Sequence, residues 1–197
     1  MTLDPGSAGL VPPERFTQDT LDWQPWLEPL AEDRLTEEHL DALVQRSRSK
    51  NPYFRLLARD PAVLRERTRT DNDIFYNTRR GLPRADRELA ATAASRLNGC
   101  VYCASVHSAF ASHHSKRRED VQRLLDEGVG APLDPRWDAL VGAVVALSAT
   151  PPRFGTDEVD ALVAAGLDEL EVLDAIMAGS FFHWANRLML SLGEPGV

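Results

Sequence analysis

The chain has 197 residues, of which 43% are hydrophobic and 26% charged, and its formal net charge is -8. A chain of this length can bury about 70% of its unfolded surface in a single core. The acidic balance excludes a general nucleic-acid binder, which needs a basic face to displace counterions. No apolar stretch reaches membrane-spanning length without a charge or a proline. Met1 to Pro13 also lacks the basic start and apolar run of a secretory signal, so no membrane association and a cytoplasmic location are expected. Helix formers dominate and runs of alternating β-branched residues are absent, which points to an all-α fold.

In chain order, residues 1–35 read as an N-terminal extension. Pro5, Pro12, Pro13, Pro25 and Pro29 forbid a long helix there, yet Phe16, Leu21, Trp23, Trp26 and Leu27 are too apolar for a free tail. An arm laid on the chain's own core or on a neighbouring subunit is expected. Residues 36–197 then form one all-α domain. Thr36 caps a helix to about Ser47, and Asn51-Pro52 starts a short one through Arg59. Asp60-Pro61, a cap followed by proline at the first helical position, opens a helix to about Arg80 that Gly81 ends. Pro83 opens the next, which Asn98-Gly99 breaks. A helix from near Cys100 to about His114 follows, then a polar one, Lys116 to Glu127, capped by Ser115. Asp134-Pro135 precedes a segment, Ala139 to Leu147, that is apolar on every face and so belongs at the centre. Thr156 caps a short helix closed by Gly166. Asp168 and Glu171 form a capping box for a last long helix to about Leu192, with a bend at Gly179.

The chemistry concentrates between Glu88 and His107. The chain has two cysteines, Cys100 and Cys103. In a reducing compartment such a pair points to redox chemistry or metal binding rather than to a scaffold disulfide. On a helix, Cys100, Cys103 and His107 fall within about 60° of one another. The amides of the helix start and a neighbouring imidazolium both favour a thiolate. A thiol at pKa ~8.5 is about 3% ionised at pH 7, whereas one lowered to ~6.5 is roughly three-quarters ionised. If the helices flanking Asn98-Gly99 fold back as a hairpin, Glu88 comes level with about residue 109 of the second helix. A carboxylate there can orient the His107 ring. Half of a zinc site is the competing reading, and its further ligands would be His107 with His39 or His183.

Glu, eleven residues, Cys-x-x-Cys, three residues, His is a pattern that resembles the alkylhydroperoxidase D-like, or carboxymuconolactone decarboxylase, superfamily. The tail Phe181 to Pro195 is similar to the last helix of its peroxidase-related branch. The resemblance, over about residues 60–195, implies an alkylhydroperoxidase D-like helical bundle and a symmetric homo-oligomer. It implies an enzyme that reduces alkyl hydroperoxides through a cysteine sulfenic acid and then a Cys100–Cys103 disulfide. Glu88 and His107 would be its proton relay, and an external dithiol or thiol protein its reductant. No metal, flavin or nicotinamide motif is present, so no cofactor is expected. One departure is Tyr102, which stands between the cysteines where members with hydroperoxidase activity have a histidine. A phenol donates hydrogen bonds but is a poor proton acceptor near neutral pH. His107 favours Cys103 as the attacking sulfur, and the helix start favours Cys100.

Two other functions fit the same residues. In lactone decarboxylase-like chemistry, His107 and Glu88 would serve as acid and base while the cysteines stay idle. In a non-catalytic, redox-sensing helical oligomer neither pair would turn over a substrate. Elsewhere blander explanations serve. His113, His114 and Lys116 suit a helix C-terminus, and His183 and Trp184 suit a core or subunit contact. The arginines from Arg65 to Arg87, interleaved with Glu66, Asp71, Asp73 and Asp86, suit a solvated or interface surface.

Overall fold

The computed structural model describes residues 11–77 and 79–196. Pro5 of the arm, and all but the last three residues of the Met1–Pro13 stretch, lie outside the described residues. The described chain is mostly helical: β1 Asp22–Pro25, α1 Glu37–Ala42, α2 Pro52–Leu57, α3 Pro61–Tyr76, α4 Arg84–Asn98, α5 Val101–Ser115, α6 Arg118–Glu127, α7 Pro135–Ser148, α8 Thr156–Ala164, α9 Glu169–Leu192 and β2 Gly193–Gly196. The all-α class holds, with one small addition. Two four-residue strands, from opposite ends of the chain, pair antiparallel with Trp23 opposite Pro195.

Local chemistry explains most helix ends. Asn51, Asp60 and Asp134 each accept a hydrogen bond from a first-turn amide and are followed by proline. Asp168 and Glu171 close a reciprocal capping box. Three expectations need correction. The helix from Thr36 stops at Ala42, and a separate 3-10 turn spans Arg46–Lys50. The helix from Pro61 ends at Tyr76, four residues short of Arg80. The polar helix begins at Arg118, and Ser115 instead accepts the Arg117 amide in the connecting turn. The last helix runs unbroken through Gly179, where a Cβ would come within 3.1 Å of Leu147 and 3.3 Å of Val144. That glycine permits the close approach of α7 and α9.

Helix α4 is the centre of the bundle, packed by α5, α7 and α9. Leu89, Ala90, Ala91, Ala93 and Ala94 are buried, and the small side chains let the neighbouring helices come close. Its first turns also bury three consecutive charged residues, Asp86, Arg87 and Glu88. Successive residues on a helix point about 100° apart, so each meets a different neighbour. Asp86 accepts from the Trp137 indole at 2.9 Å and from Arg136 at 3.0 Å on α7. Arg87 donates to Asp174 of α9 at 2.7 Å and to the carbonyls of Ile74 and Arg80. Glu88 faces α5. Of the solvated or interface surface expected for this arginine-rich stretch, the solvated reading is therefore wrong at its key positions. The side chains of Arg67, Arg84 and Arg87 are 8%, 13% and 3% exposed, each against a carboxylate: Asp71 and Glu88 one turn along the same helix, and Asp174 across on α9.

The N-terminal arm lies on the chain's own core. Leu21 and Trp23 are buried. The amide of Gln18 donates to Gln122 at 2.9 Å, and its carbonyl accepts from Ser112 of α5. Among the described residues no helix is long and apolar enough to cross a membrane.

Candidate active site

The hairpin of α4 and α5 turns at Gly99, whose φ of +79° lies in the left-handed region and ends α4. Cys100 follows as the N-cap of α5, with φ -83° and ψ 89°. It is therefore not helical, and the expectation that Cys100, Cys103 and His107 share one face fails for Cys100. Cys103 and His107, both inside the helix, line one cavity, whereas Cys100 lines a separate groove with Pro12, Trp23 and Pro195. The two sulfurs meet between these spaces at 2.8 Å, as reduced thiols.

At 2.8 Å the pair shares hydrogen-bonding protons. Cys100 is held below the ordinary thiol range, chiefly by a hydrogen bond from the Cys103 thiol, against the opposing effect of burial. Burial pushes Cys103 well above that range, and an anion on Cys100 adds to the rise. The side-chain amide of Asn186 on α9 favours the anion at both sulfurs. Asn186 is fully buried and anchored by Asn98 at 3.0 Å and Ser95 at 3.0 Å. Acidity and access thus point to different sulfurs: Cys100 is the more acidic, and Cys103 faces the cavity.

Glu88, fully buried, accepts from His107 Nδ1 at 2.6 Å and from Arg84 Nε at 2.6 Å. A carboxylate oxygen can only accept from this ring, so Nδ1 carries the hydrogen, and in the neutral ring the lone pair is then on Nε2. Phe182 and Phe75 clamp the ring, with centroids 3.9 Å and 5.4 Å away. Among the described residues no hydrogen bond joins the ring to either sulfur. The expected direct support of a Cys103 thiolate by His107 is absent, because Glu88 draws the ring toward α4.

The cavity encloses about 240 Å³. Aromatic rings form much of its wall: Tyr53, Phe54, Phe75, Tyr76, Tyr102, Phe110 and Phe182. Its charged groups come in opposite pairs, Arg84 with Glu88 and Arg67 with Asp71 at 3.2 Å. Tyr102 sits at its edge, its hydroxyl kept protonated by burial. Of these groups, Arg84 was legible as an i,i+4 partner of Glu88. Arg67 has the same i,i+4 signal in Asp71, whereas Asn186, Phe182 and Tyr53 carry no local signal, since they come from α9 and α2.

Histidines outside the cavity do other work. His39 closes the capping box with Thr36. His183 accepts from Arg187 at 3.2 Å through Nε2, and its Nδ1 lies 3.2 Å from the side-chain nitrogen of Asn98. Among the described residues no group of three or more His, Cys, Asp or Glu side chains is placed to hold a metal ion.

Residues 61–146, which contain Glu88, both cysteines and His107, match the carboxymuconolactone decarboxylase family. No curated protein matches the sequence. Solved structures share the fold. An uncharacterized peroxidase-related protein from Ralstonia eutropha JMP134, described as an alkylhydroperoxidase AhpD core, is 19% identical with a TM-score of 0.72, over 84% of this chain and 88% of that one. A peroxidase-related protein from Silicibacter sp. TM1040 is 20% identical with a TM-score of 0.67, over 94% and 93%. A cysteine-to-alanine form of the debrominase Bmp8, in complex with 2,3,4-tribromopyrrole, is 16% identical with a TM-score of 0.65, over 85% and 89%. The segment that matches the carboxymuconolactone decarboxylase family thus spans the thiol site, and the solved structures show that the whole bundle has the alkylhydroperoxidase D-like fold.

Proposed function

We propose that the protein is a thiol-dependent peroxidase that reduces organic hydroperoxides, with Cys103 as the attacking sulfur, Cys100 as the resolving one, and Glu88 and His107 as the proton relay. One observation carries the reading: Cys103 opens onto an aromatic cavity beside the Glu88–His107 pair, with a second sulfur 2.8 Å behind it. Access decides the assignment over acidity, because a sulfur that cannot touch the substrate cannot attack it. The short contact also removes the conflict. Moving the shared proton from Cys103 to Cys100 places the anion on the cavity side, and the Arg67 charge favours it there. His107, its Nε2 lone pair free of Glu88, serves as the base that water in the cavity connects to the thiol.

The cycle then balances. The Cys103 thiolate attacks the terminal peroxide oxygen, forming Cys103 sulfenic acid and releasing an alkoxide that takes up a proton. Cys100 attacks that sulfur, water leaves, and a Cys100–Cys103 disulfide remains. An external dithiol exchanges with the disulfide and restores both thiols, which suits a reducing compartment such as the cytoplasm. Homo-oligomeric assembly belongs to the same reading. Leu170, Leu173, Met177 and Trp184 of α9 are 39%, 50%, 41% and 40% exposed and form an apolar stripe; a monomer in light scattering at micromolar concentration would refute it.

The test is mass spectrometry after one equivalent of an organic hydroperoxide. Loss of two hydrogens confined to the Cys100–Cys103 peptide is expected; an unchanged peptide, or activity that survives Cys100→Ser with Cys103→Ser, would exclude the thiol mechanism. A second reading, favoured by the aromatic walls and the fold shared with a debrominase, is reductive debromination. There the two thiols and an aryl bromide become a disulfide, the arene and hydrogen bromide. Bromide release without any reaction toward hydroperoxides would select it.

A further inference from the structure

Arg84 is the first residue of α4, where the free amides of a helix start disfavour a cation. One partner accounts for its place. Its Nε and a terminal nitrogen both reach Oε1 of Glu88, at 2.6 Å and 2.5 Å, while His107 Nδ1 holds Oε2 at 2.6 Å. The guanidinium also lies over Tyr76 at 4.2 Å, Phe110 at 5.6 Å and Phe75 at 5.8 Å. The same Phe75 ring packs on His107. The buried carboxylate thus has a permanent cation on one oxygen and a titratable ring on the other. Charge counting then favours one state of the ring. With Arg84 and Glu88 charged, a neutral His107 leaves the cluster at zero, whereas an imidazolium adds a net positive charge away from water. Without Arg84 the order reverses: carboxylate and imidazolium cancel, and a neutral ring leaves a buried anion alone.

The other groups around the ring do not upset this count. Across the cavity Asp71 is shared by Arg67 at 3.2 Å and Arg48 at 3.8 Å, so that wall adds no negative charge to hold an imidazolium. Burial keeps Tyr53 and Tyr102 as phenols and Cys103 as a thiol. Helix α9 presents the uncharged Phe182 ring. His114, further along α5, is held below the ordinary histidine range by burial and by the Arg84 charge. Among the described residues Arg84 and His107 are the two groups that bond the Glu88 side chain.

Resting on the peroxidase reading, we infer that Arg84 is a further positioning residue, which acts through Glu88 to keep His107 uncharged and so able to take the Cys103 proton. In the reaction that proton then moves only within the site. Neutral thiol and neutral imidazole become thiolate and imidazolium by way of cavity water, and the site as a whole gains no charge. Once the thiolate has bonded to the terminal oxygen and the O–O bond has broken, the imidazolium gives the proton to the departing alkoxide. His107 is then neutral again. A ring already protonated from solvent would have no lone pair with which to begin the cycle. Arginine suits the task because it stays charged at every working pH, so the bias does not itself titrate.

The experiment titrates the His107 ring by nitrogen NMR in the reduced full chain, in Arg84→Met and Arg84→Gln, which remove the charge, and in Arg84→Lys, which keeps it. The pH dependence of single-turnover oxidation by cumene hydroperoxide is measured on the same proteins. In the two uncharged variants the His107 midpoint should rise by about one to three pH units, and in Arg84→Lys it should stay close to the parent's. The oxidation rate of the uncharged variants should fall roughly tenfold near neutral pH and return toward the parent's in alkaline buffer, where the base is restored. A merely structural role for Arg84 would depress the rate at every pH. Stability gives a reading free of activity. In Arg84→Met the folded pair binds its proton more tightly than an unfolded histidine does, so the proton stabilises at acid pH and that gain is lost as pH rises through the folded midpoint. The Tm deficit against the parent should therefore be smaller at about pH 6 than at about pH 8. Equal His107 midpoints in the parent and the uncharged variants, or a parent ring already charged at about pH 7, would overturn the role of Arg84 and leave the peroxidase reading standing. A parent that shows the shifts yet does not react with hydroperoxide would remove the peroxidase reading and keep the charge assignment.

Discussion

The two walls of the Cys103 cavity are built in opposite ways. On the α4–α5 hairpin the polar groups are matched to one another: Glu88 with Arg84 and His107, and Cys103 with Cys100. On the wall from α2 and α3, the Tyr53 hydroxyl and Arg67 Nε are buried and unmatched. A matched wall holds reactive groups in one geometry and is itself a source of stability. An unmatched wall costs stability. The difference is one of stability: one wall is held by its polar pairs, and the other is carried by the packing around it.

Substitutions on the two walls should therefore fail differently. The largest effect is expected for Cys103→Ser, a loss of hydroperoxide turnover of more than about a thousandfold in a steady-state assay, with the fold intact by circular dichroism. Next comes Glu88→Ala. It leaves the Arg84 guanidinium buried without its carboxylate, a change that typically costs about 3–5 kcal/mol; calorimetry should show a Tm lower by roughly 10 °C. The contrast with Tyr53→Phe, which removes a buried hydroxyl and should cost little stability, is the sharpest form of the comparison. A Glu88→Ala protein as stable as the parent would erase it.

Smaller effects refine the hairpin side. Gly99→Ala forces a Cβ into the left-handed region, with no steric contact to add to the strain. A loss of about 1–2 kcal/mol in denaturant unfolding is expected. The smallest is a titration. In the unaltered protein Cys100 is acidic because the Cys103 thiol donates to it, so alkylation by iodoacetamide should rise with pH through a midpoint below that of a free thiol. In Cys103→Ala the donor is gone, burial still opposes the anion, and the midpoint should move up. An unmoved midpoint would show that the helix start, not the partner sulfur, sets the acidity.

Much of the hairpin was legible in the residue pattern, and almost none of the facing wall was. Proline-led caps at Pro52, Pro61 and Pro135 mark helix starts because a missing amide hydrogen costs nothing there. Asn98-Gly99 marks the turn because glycine alone enters the left-handed region freely. Two helices joined by so short a turn must run antiparallel, which brings Glu88 level with His107. Helical arithmetic misled at one place, Cys100, because an N-cap residue has left the helix.

Sequence alone thus determined the all-helical class and the hairpin, which follow from periodicity, capping and turn chemistry, while Glu88, Cys100, Cys103 and His107 were singled out by their resemblance to a family pattern. Tertiary structure alone decided which sulfur faces the cavity, why Arg67, Arg84 and Arg87 lie buried, and how Tyr53, Phe182 and Asn186 come to the site. The physical reason is range. A local pattern specifies backbone conformation over a few turns, whereas burial and partnership depend on which distant helix packs opposite, and that is settled only when the whole core closes.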